Sequence, residues 1–143
     1  MLSAKTQYAI HALTFLGERF GKGPIPINQI AEHRQIPYKF LEAILLELRK
    51  SGVLGSKAGK NGGYYLLRPP EEVLVVDVIR QMEGPISLLP CVSKKFYESC
   101  RVCPHAEPGC IVREFFRQVR DATLHAMEGR YLSELLDPHA VKE

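Results

Sequence analysis

Apolar side chains recur at Tyr8, Ala9, Ala12, Leu13, Leu16 and Phe20, the spacing of one helical face, and predict a helix over residues 3–20. Gly21-Lys22-Gly23-Pro24 stops it. Ile27, Ile30 and Ala31 predict a short second helix reaching His33. Proline disfavours a helical residue before it but suits a first helical turn, so Pro37 opens a third helix over 37–51. That helix puts Leu41, Ile44, Leu45 and Leu48 on one face, and Gly52 stands where a left-handed cap is wanted. The period then changes. Residues 53–57 and 64–67 read as two short strands around Ala58-Gly59-Lys60-Asn61-Gly62-Gly63, a turn rich in residues that tolerate positive φ. Pro69-Pro70 closes the hairpin, and Val75, Val78, Ile79 and Met82 predict a fourth helix ending at Gly84.

Beyond Cys110, residues 111–136 read as one long helix with two apolar stripes. Val112, Phe115, Val119, Ala122 and Ala126 form the first; Phe116, Thr123, Met127 and Tyr131 begin the second. The expected fold is mainly α with a small β-hairpin: a winged helix-turn-helix followed by a long C-terminal dimerisation helix. Its parts are a DNA-reading unit over 1–84 (wing about 53–67), a cysteine-containing loop over 85–110, the long helix over 111–137 and a tail over 138–143. A helix apolar on two sides has more to bury than a small winged domain covers, so a homodimer is expected.

Composition narrows the class. A chain of 143 residues, 45% hydrophobic and 24% charged, is one ordinary folded domain. No apolar run reaches the length of a membrane span, and Lys5, Gln7 and His11 interrupt the N-terminal apolar stretch, so a cytoplasmic protein without a membrane partner is expected. The net charge of +3 says little until it is located. Between residues 34 and 68 stand Arg34, Lys39, Arg49, Lys50, Lys57, Lys60 and Arg68 against only Glu42 and Glu47. Cations on both the second helix of the motif and the wing suit the phosphates of double-stranded operator DNA.

All four cysteines, Cys91, Cys100, Cys103 and Cys110, fall in one short stretch, with eight, two and six residues between them. In a cytoplasmic chain such a cluster points to metal or redox chemistry more than to structural disulfides. Thiolates are the soft donors that iron–sulfur clusters and tetrahedral zinc both accept, and the residues alone place the two close together. A thiol–disulfide pair at Cys100 and Cys103 is a third reading. Cys110 also opens the long helix, where the positive end of the dipole favours thiolate. An enzyme is not expected: there is no nucleotide loop, no thioredoxin-like βαβ pattern and no convincing acid–base pair.

The order of parts resembles a family of bacterial regulators that includes IscR, NsrR and CymR, over essentially the whole chain. The resemblance is carried by Tyr8-Ala9, by Phe40-Leu41-Glu42 with Leu48-Arg49-Lys50-Ser51-Gly52, by Gly59-Lys60-Asn61-Gly62-Gly63-Tyr64, and by Val78-Ile79-Arg80 with Glu83-Gly84. It implies a homodimeric repressor or activator on operator DNA. Glu42 would face cytosine amines in the major groove, and Tyr38 and Lys39 would reach base edges or phosphates. Arg49 would join them, and Lys57, Lys60, Asn61 and Gly62 would lie in or beside the minor groove. Many relatives carry arginine just before the first wing glycine, where this chain has Ala58. The cysteine set is similar to the branch that holds an iron–sulfur cluster, 2Fe–2S or 4Fe–4S. The histidine that ligates three residues after the last cysteine in one such member is Arg113 here, so four cysteines are the expected ligands, with His105 or His11 the other candidates the resemblance leaves and zinc the alternative metal.

Overall fold

A computed structural model describes residues 2–102 and 109–139 of the protein. Among these residues five α-helices and one hairpin succeed one another. These are α1 (Ala4–Glu18), α2 (Ile27–Arg34), α3 (Tyr38–Lys50), β1 (Leu54–Lys57), β2 (Gly63–Leu66), α4 (Val75–Glu83) and α5 (Ile111–Met127). Short 3-10 turns lie at Pro70–Glu72, Pro90–Val92 and Leu132–Leu135. The expected mainly α fold with a small hairpin is the one observed.

The core forms where the apolar face of each helix meets α1. Ala9, Ala12, Leu13, Phe15 and Leu16 of α1 pack with Ile30 of α2, Leu41, Ile44, Leu45 and Leu48 of α3, and Val78 and Met82 of α4. Phe20, expected on the α1 face, lies beyond the helix end and is exposed, while Phe15 takes the buried place. The helix stops earlier than its pattern because Arg19 leaves helical geometry ahead of the glycine-rich stretch.

The start of α1 is tied to the end of α4. Ser3 caps α1 by accepting from the Thr6 amide at 3.2 Å. Glu83 in turn accepts from the Ser3 amide at 3.1 Å, from the Ser3 hydroxyl at 2.8 Å, and from the Thr6 hydroxyl. The hydroxyls of Thr6 and Ser3 hold the Glu83 carboxyl below its ordinary pKa, because they bond to the charged form.

The helix-turn-helix corner is made by Gln35, which takes a left-handed conformation (φ 52°), with Ile36 buried behind it and Pro37 leading into α3. At the other end of α3, Gly52 adopts φ 86° and Val53 donates to the Leu48 carbonyl at 3.1 Å, the left-handed cap expected there. β1 and β2 pair antiparallel with Leu54 opposite Leu66 and Lys57 opposite Gly63. Ile25 and Tyr64 exchange two backbone bonds of 2.9 Å, so the hairpin is anchored to the segment before α2. Gly63 makes that approach possible: a Cβ there would land on the Ile25 carbonyl.

The long C-terminal helix is shorter than expected. It ends at Met127; Glu128 is extended and Gly129 turns the chain with φ 65°. The segment after Gly129 returns to the body instead of continuing outward. Tyr131 bridges Leu74, the Leu132 amide donates to the Val73 carbonyl at 2.8 Å, and Leu132 and Leu136 pack on Gly17 of α1. The apolar residues Leu132 and Leu136 prolong the helical pattern, but they pack on the core around α1, while Tyr131 is tied in by its backbone and stays exposed.

Leu132 is 2% exposed and Leu135 is 45% exposed, although both occupy the same short turn. Leu132→Ala is therefore expected to lower unfolding stability by about 2–5 kcal/mol in urea denaturation, and Leu135→Ala by less than ~0.5 kcal/mol. Similar losses at the two positions would show that the turn is not docked.

Candidate DNA interface and cysteine loop

Burial on one side of α3 decides what the other side shows. With Leu41, Ile44, Leu45 and Leu48 inward, Tyr38, Lys39, Glu42 and Arg49 are exposed. Charge on this surface differs from what a linear count suggests. Glu47 is taken by Lys5 of α1, with Nζ and Oε2 2.7 Å apart. Arg34 turns back to Glu18, donating to both carboxylate oxygens at 3.1 Å and lying over the Phe15 ring. Lys39, Arg49, Lys50, Lys57, Lys60 and Arg68 have no salt-bridge partner among the described residues, and neither does Glu42. The result is a cationic surface carrying one exposed acid on α3.

The wing and the helix-turn-helix enclose a cleft of about 380 Å³. Tyr38 from α3, Asn28 from α2 and Lys57, Lys60 and Gly62 from the hairpin line it. Four of the expected DNA-reading positions thus meet in one place. Asn61 sits exposed in the turn, and Lys39, Glu42 and Arg49 continue the surface along α3. Asn28 is not visible as a site residue in the sequence, because nothing about one asparagine near the start of a short helix marks it. Only the Ile25–Tyr64 bridge brings it opposite the wing.

The cysteine loop begins on a 3-10 turn in which Cys91 is 5% exposed and Val92 and Ser93 are buried. Cys100 and Cys110 are half-buried. Cys110 caps α5, its sulfur accepting from the Arg113 amide at 3.4 Å, so the expected thiol at the positive end of the helix is in place. Cys103 and His105 lie outside the described residues. His11 is exposed on α1. Among the described residues no three or more histidine, cysteine or carboxylate side chains come together in a group that could hold a metal ion.

On α5 the two stripes have different fates. Thr123 and Met127 of the second stripe are half-buried toward the body, joined there by Val119 of the first, and Phe116 is half-buried; Val112, Phe115, Ala122 and Ala126 of the first stripe are exposed. Phe115 is 60% exposed and Ile111 85%. Glu114, Arg117 and Asp121 form a charged ladder, with Arg117 to Glu114 at 2.6 Å and to Asp121 at 3.2 Å. Hydrogen bonding from Arg117 takes the Glu114 carboxyl down to about 2. No helix among the described residues is long and apolar enough to cross a membrane.

An exposed helix of a helix-turn-helix, a glycine-rich wing beside it and a shared cationic surface define a winged-helix DNA-binding transcription regulator. The chain belongs to the Rrf2 family: residues 2–138 match that family's model, described as an iron-dependent transcriptional regulator. It is 37% identical over 139 residues to an rrf2-like HTH-type transcriptional regulator of Rhodobacter capsulatus, covering 95% of this chain and 92% of that one. Among solved structures it is similar to CymR of B. subtilis, the global cysteine regulator (29% identity, TM-score 0.75, covering 94% and 95% of the two chains). It is also similar to IscR of T. potens (28% identity, TM-score 0.71, covering 94% and 85%). The chain is a transcription regulator and not an enzyme.

Proposed function

We propose that the protein acts as a homodimer on a two-fold operator and that the state of its cysteines changes its grip on DNA. The observation carrying the DNA half is the uncompensated charge of α3 and the wing. Lys57 and Lys60 line the cleft beside α3, Lys39 is exposed at the start of that helix, and Glu42 has no salt-bridge partner among the described residues. α3 enters the major groove, Tyr38 and Lys39 lead, and Glu42 accepts from cytosine amines. Arg49 meets the backbone, and Lys57, Lys60, Asn61 and Gly62 follow the adjacent minor groove. Lys60 stands in for the arginine that relatives carry at the place of Ala58. An acid on a cationic surface weakens binding to DNA in general, so its place on the exposed face of α3 makes sense if it selects a base.

The dimer half is supported by α5. Its outer stripe, Val112, Phe115, Ala122 and Ala126, is apolar, exposed and flanked by a balanced ladder of charges. A second copy of the same helix supplies a matching apolar stripe and places two α3 helices on successive half-sites.

The switching half is supported by the donor set and its anchorage. Four thiols within one loop are chemically suited to an iron–sulfur cluster, for which Cys91, Cys100, Cys103 and Cys110 are the ligands, with His105 or His11 as substitutes. Such a group supplies a bound charge and a redox-sensitive tie between the ends of the loop. The same thiols also suit zinc or their own oxidation to a disulfide, and the buried position of Cys91 means that either its turn or the rest of the loop has to move for the thiols to gather.

Three outcomes are expected. Glu42→Ala changes operator preference by about 1–3 kcal/mol at one base pair while non-specific affinity is unchanged or rises, read by binding to operator variants at fixed salt. Uniform weakening on all DNA would remove Glu42 from base reading. In sedimentation the protein runs as a dimer at micromolar concentration, and Phe115→Glu converts it to monomer; a wild-type monomer sinks the dimer. Protein purified without oxygen is coloured and holds iron and sulfide, and its affinity for operator shifts when the cluster is lost. Colourless protein with stoichiometric zinc would leave the fold and DNA reading intact and overturn the cluster.

A further inference from the structure

Open space separates much of α5 from the rest of the molecule. On one side a cavity of about 240 Å³ lies between Val119, Thr123 and Met127 of α5 and Ile79 and Ile86. On the other a wider cleft of about 720 Å³ runs between Leu124 of α5 and Leu74, Arg80 and Lys94. Arg120 lines both. Its guanidinium crosses the gap: Nη1 donates to the Val92 carbonyl at 2.5 Å, while Nε and Nη2 donate to Asp121 Oδ1 at 2.9 and 2.6 Å. The Arg120 side chain is 11% exposed, and the carbonyl it holds belongs to a buried residue next to the buried Cys91.

A guanidinium is a rigid planar fork, so fixing one edge on Asp121 aims the remaining donors. Charge-assisted bonds of this kind are about twice as strong as neutral ones, and more so away from water. We infer that Arg120 is the positioning residue that clamps the Cys91 turn onto α5, shielding the Cys91 thiol and carrying any change in the cysteine loop into the helix. The shielding depends on the geometry alone; the relay rests on the cysteine-switch reading above. The loop starts at a turn held by Arg120 and ends at Cys110, which caps the same helix on the Arg113 amide. The two anchor residues of α5 are roughly 10 Å apart along its axis. A rearrangement that draws Cys91 toward the other thiols must pull Val92 with it. Either Arg120 lets go, or α5 shifts with the turn.

The test uses the full chain, reduced, with iodoacetamide as the probe and alkylation followed at each cysteine by mass spectrometry. Arg120→Met should speed Cys91 alkylation by about ten- to a hundredfold, the opening expected from losing one charge-assisted bond, and leave Cys100 unchanged. Arg120→Lys keeps the charge but not the fork, and should release Cys91 as well; it serves if the methionine variant fails to fold. Arg117→Gln, one turn earlier on the same helix, should leave Cys91 slow. Unchanged Cys91 reactivity in both Arg120 variants overturns the clamp, as does a general rise at every cysteine or an equal rise in Arg117→Gln. For the relay, operator affinity is compared before and after diamide, which takes two electrons and two protons from a thiol pair. Wild type should respond, and an Arg120 variant should keep its reduced-state affinity but lose most of the response. A wild type indifferent to thiol state overturns the cysteine-switch reading itself. A variant that responds as fully as wild type overturns the relay and leaves that reading standing.

Discussion

Everything the protein offers to DNA depends on the burial of Leu41, Ile44, Leu45 and Leu48 against α1. Each such side chain contributes about 1.5–3 kcal/mol when removed from water, and together they fix the rotation of α3 about its axis. A rotation by one residue position, roughly 100°, would carry Glu42 toward the core and expose a leucine. Neither change is tolerable, because an unpaired buried carboxylate is costly. The outward placement of Tyr38, Lys39, Glu42 and Arg49 is thus a consequence of the core. α1 is held in turn at both ends, by Glu83 at its start and by the Glu18–Arg34 pair near its finish.

The wing depends on a second constraint of the same kind. Its two strands are too short to be stable alone, and the Ile25–Tyr64 bridge supplies a third partner. That bridge requires the close backbone approach at Gly63. With it in place, the cations of the hairpin face the start of α3 across a cleft that includes the start of α2.

α5 is built on different terms. No residue of it is buried in the single chain, and it meets the body through α4, through the Cys91 turn and through the return of the chain at Gly129. A weakly attached helix is well placed to move as a unit, since few apolar contacts have to be broken. The chain after it is not loosely attached: Leu132 and Leu136 sit against Gly17 in the core of the DNA-reading unit. A displacement of α5 consequently has two routes inward, through Arg120 to the cysteine turn and through the return segment to α1.

Most of α1 to α4 and the hairpin was legible in the residues, because their periods of 3.6 and 2 are local and their stops are proline and glycine with defined backbone preferences. The exposed acid of α3, the cations of the wing and the thiol at the start of α5 were legible for the same reason. What sequence could not assign was partnership over distance. Arg34 counted as a DNA-facing cation until Glu18 claimed it, and Glu47 as a repelling acid until Lys5 neutralised it. Leu132 and Leu136 prolonged a helical pattern, yet packing against α1 outweighed helical continuation once Gly129 allowed a turn. Arg120 showed nothing unusual in the chain, and its tie to Val92 spans 28 positions. Local pattern determined which elements form and which face of each is apolar; tertiary packing decided which charges remain free, because a salt bridge or a clamped carbonyl is set by distances that no local period encodes.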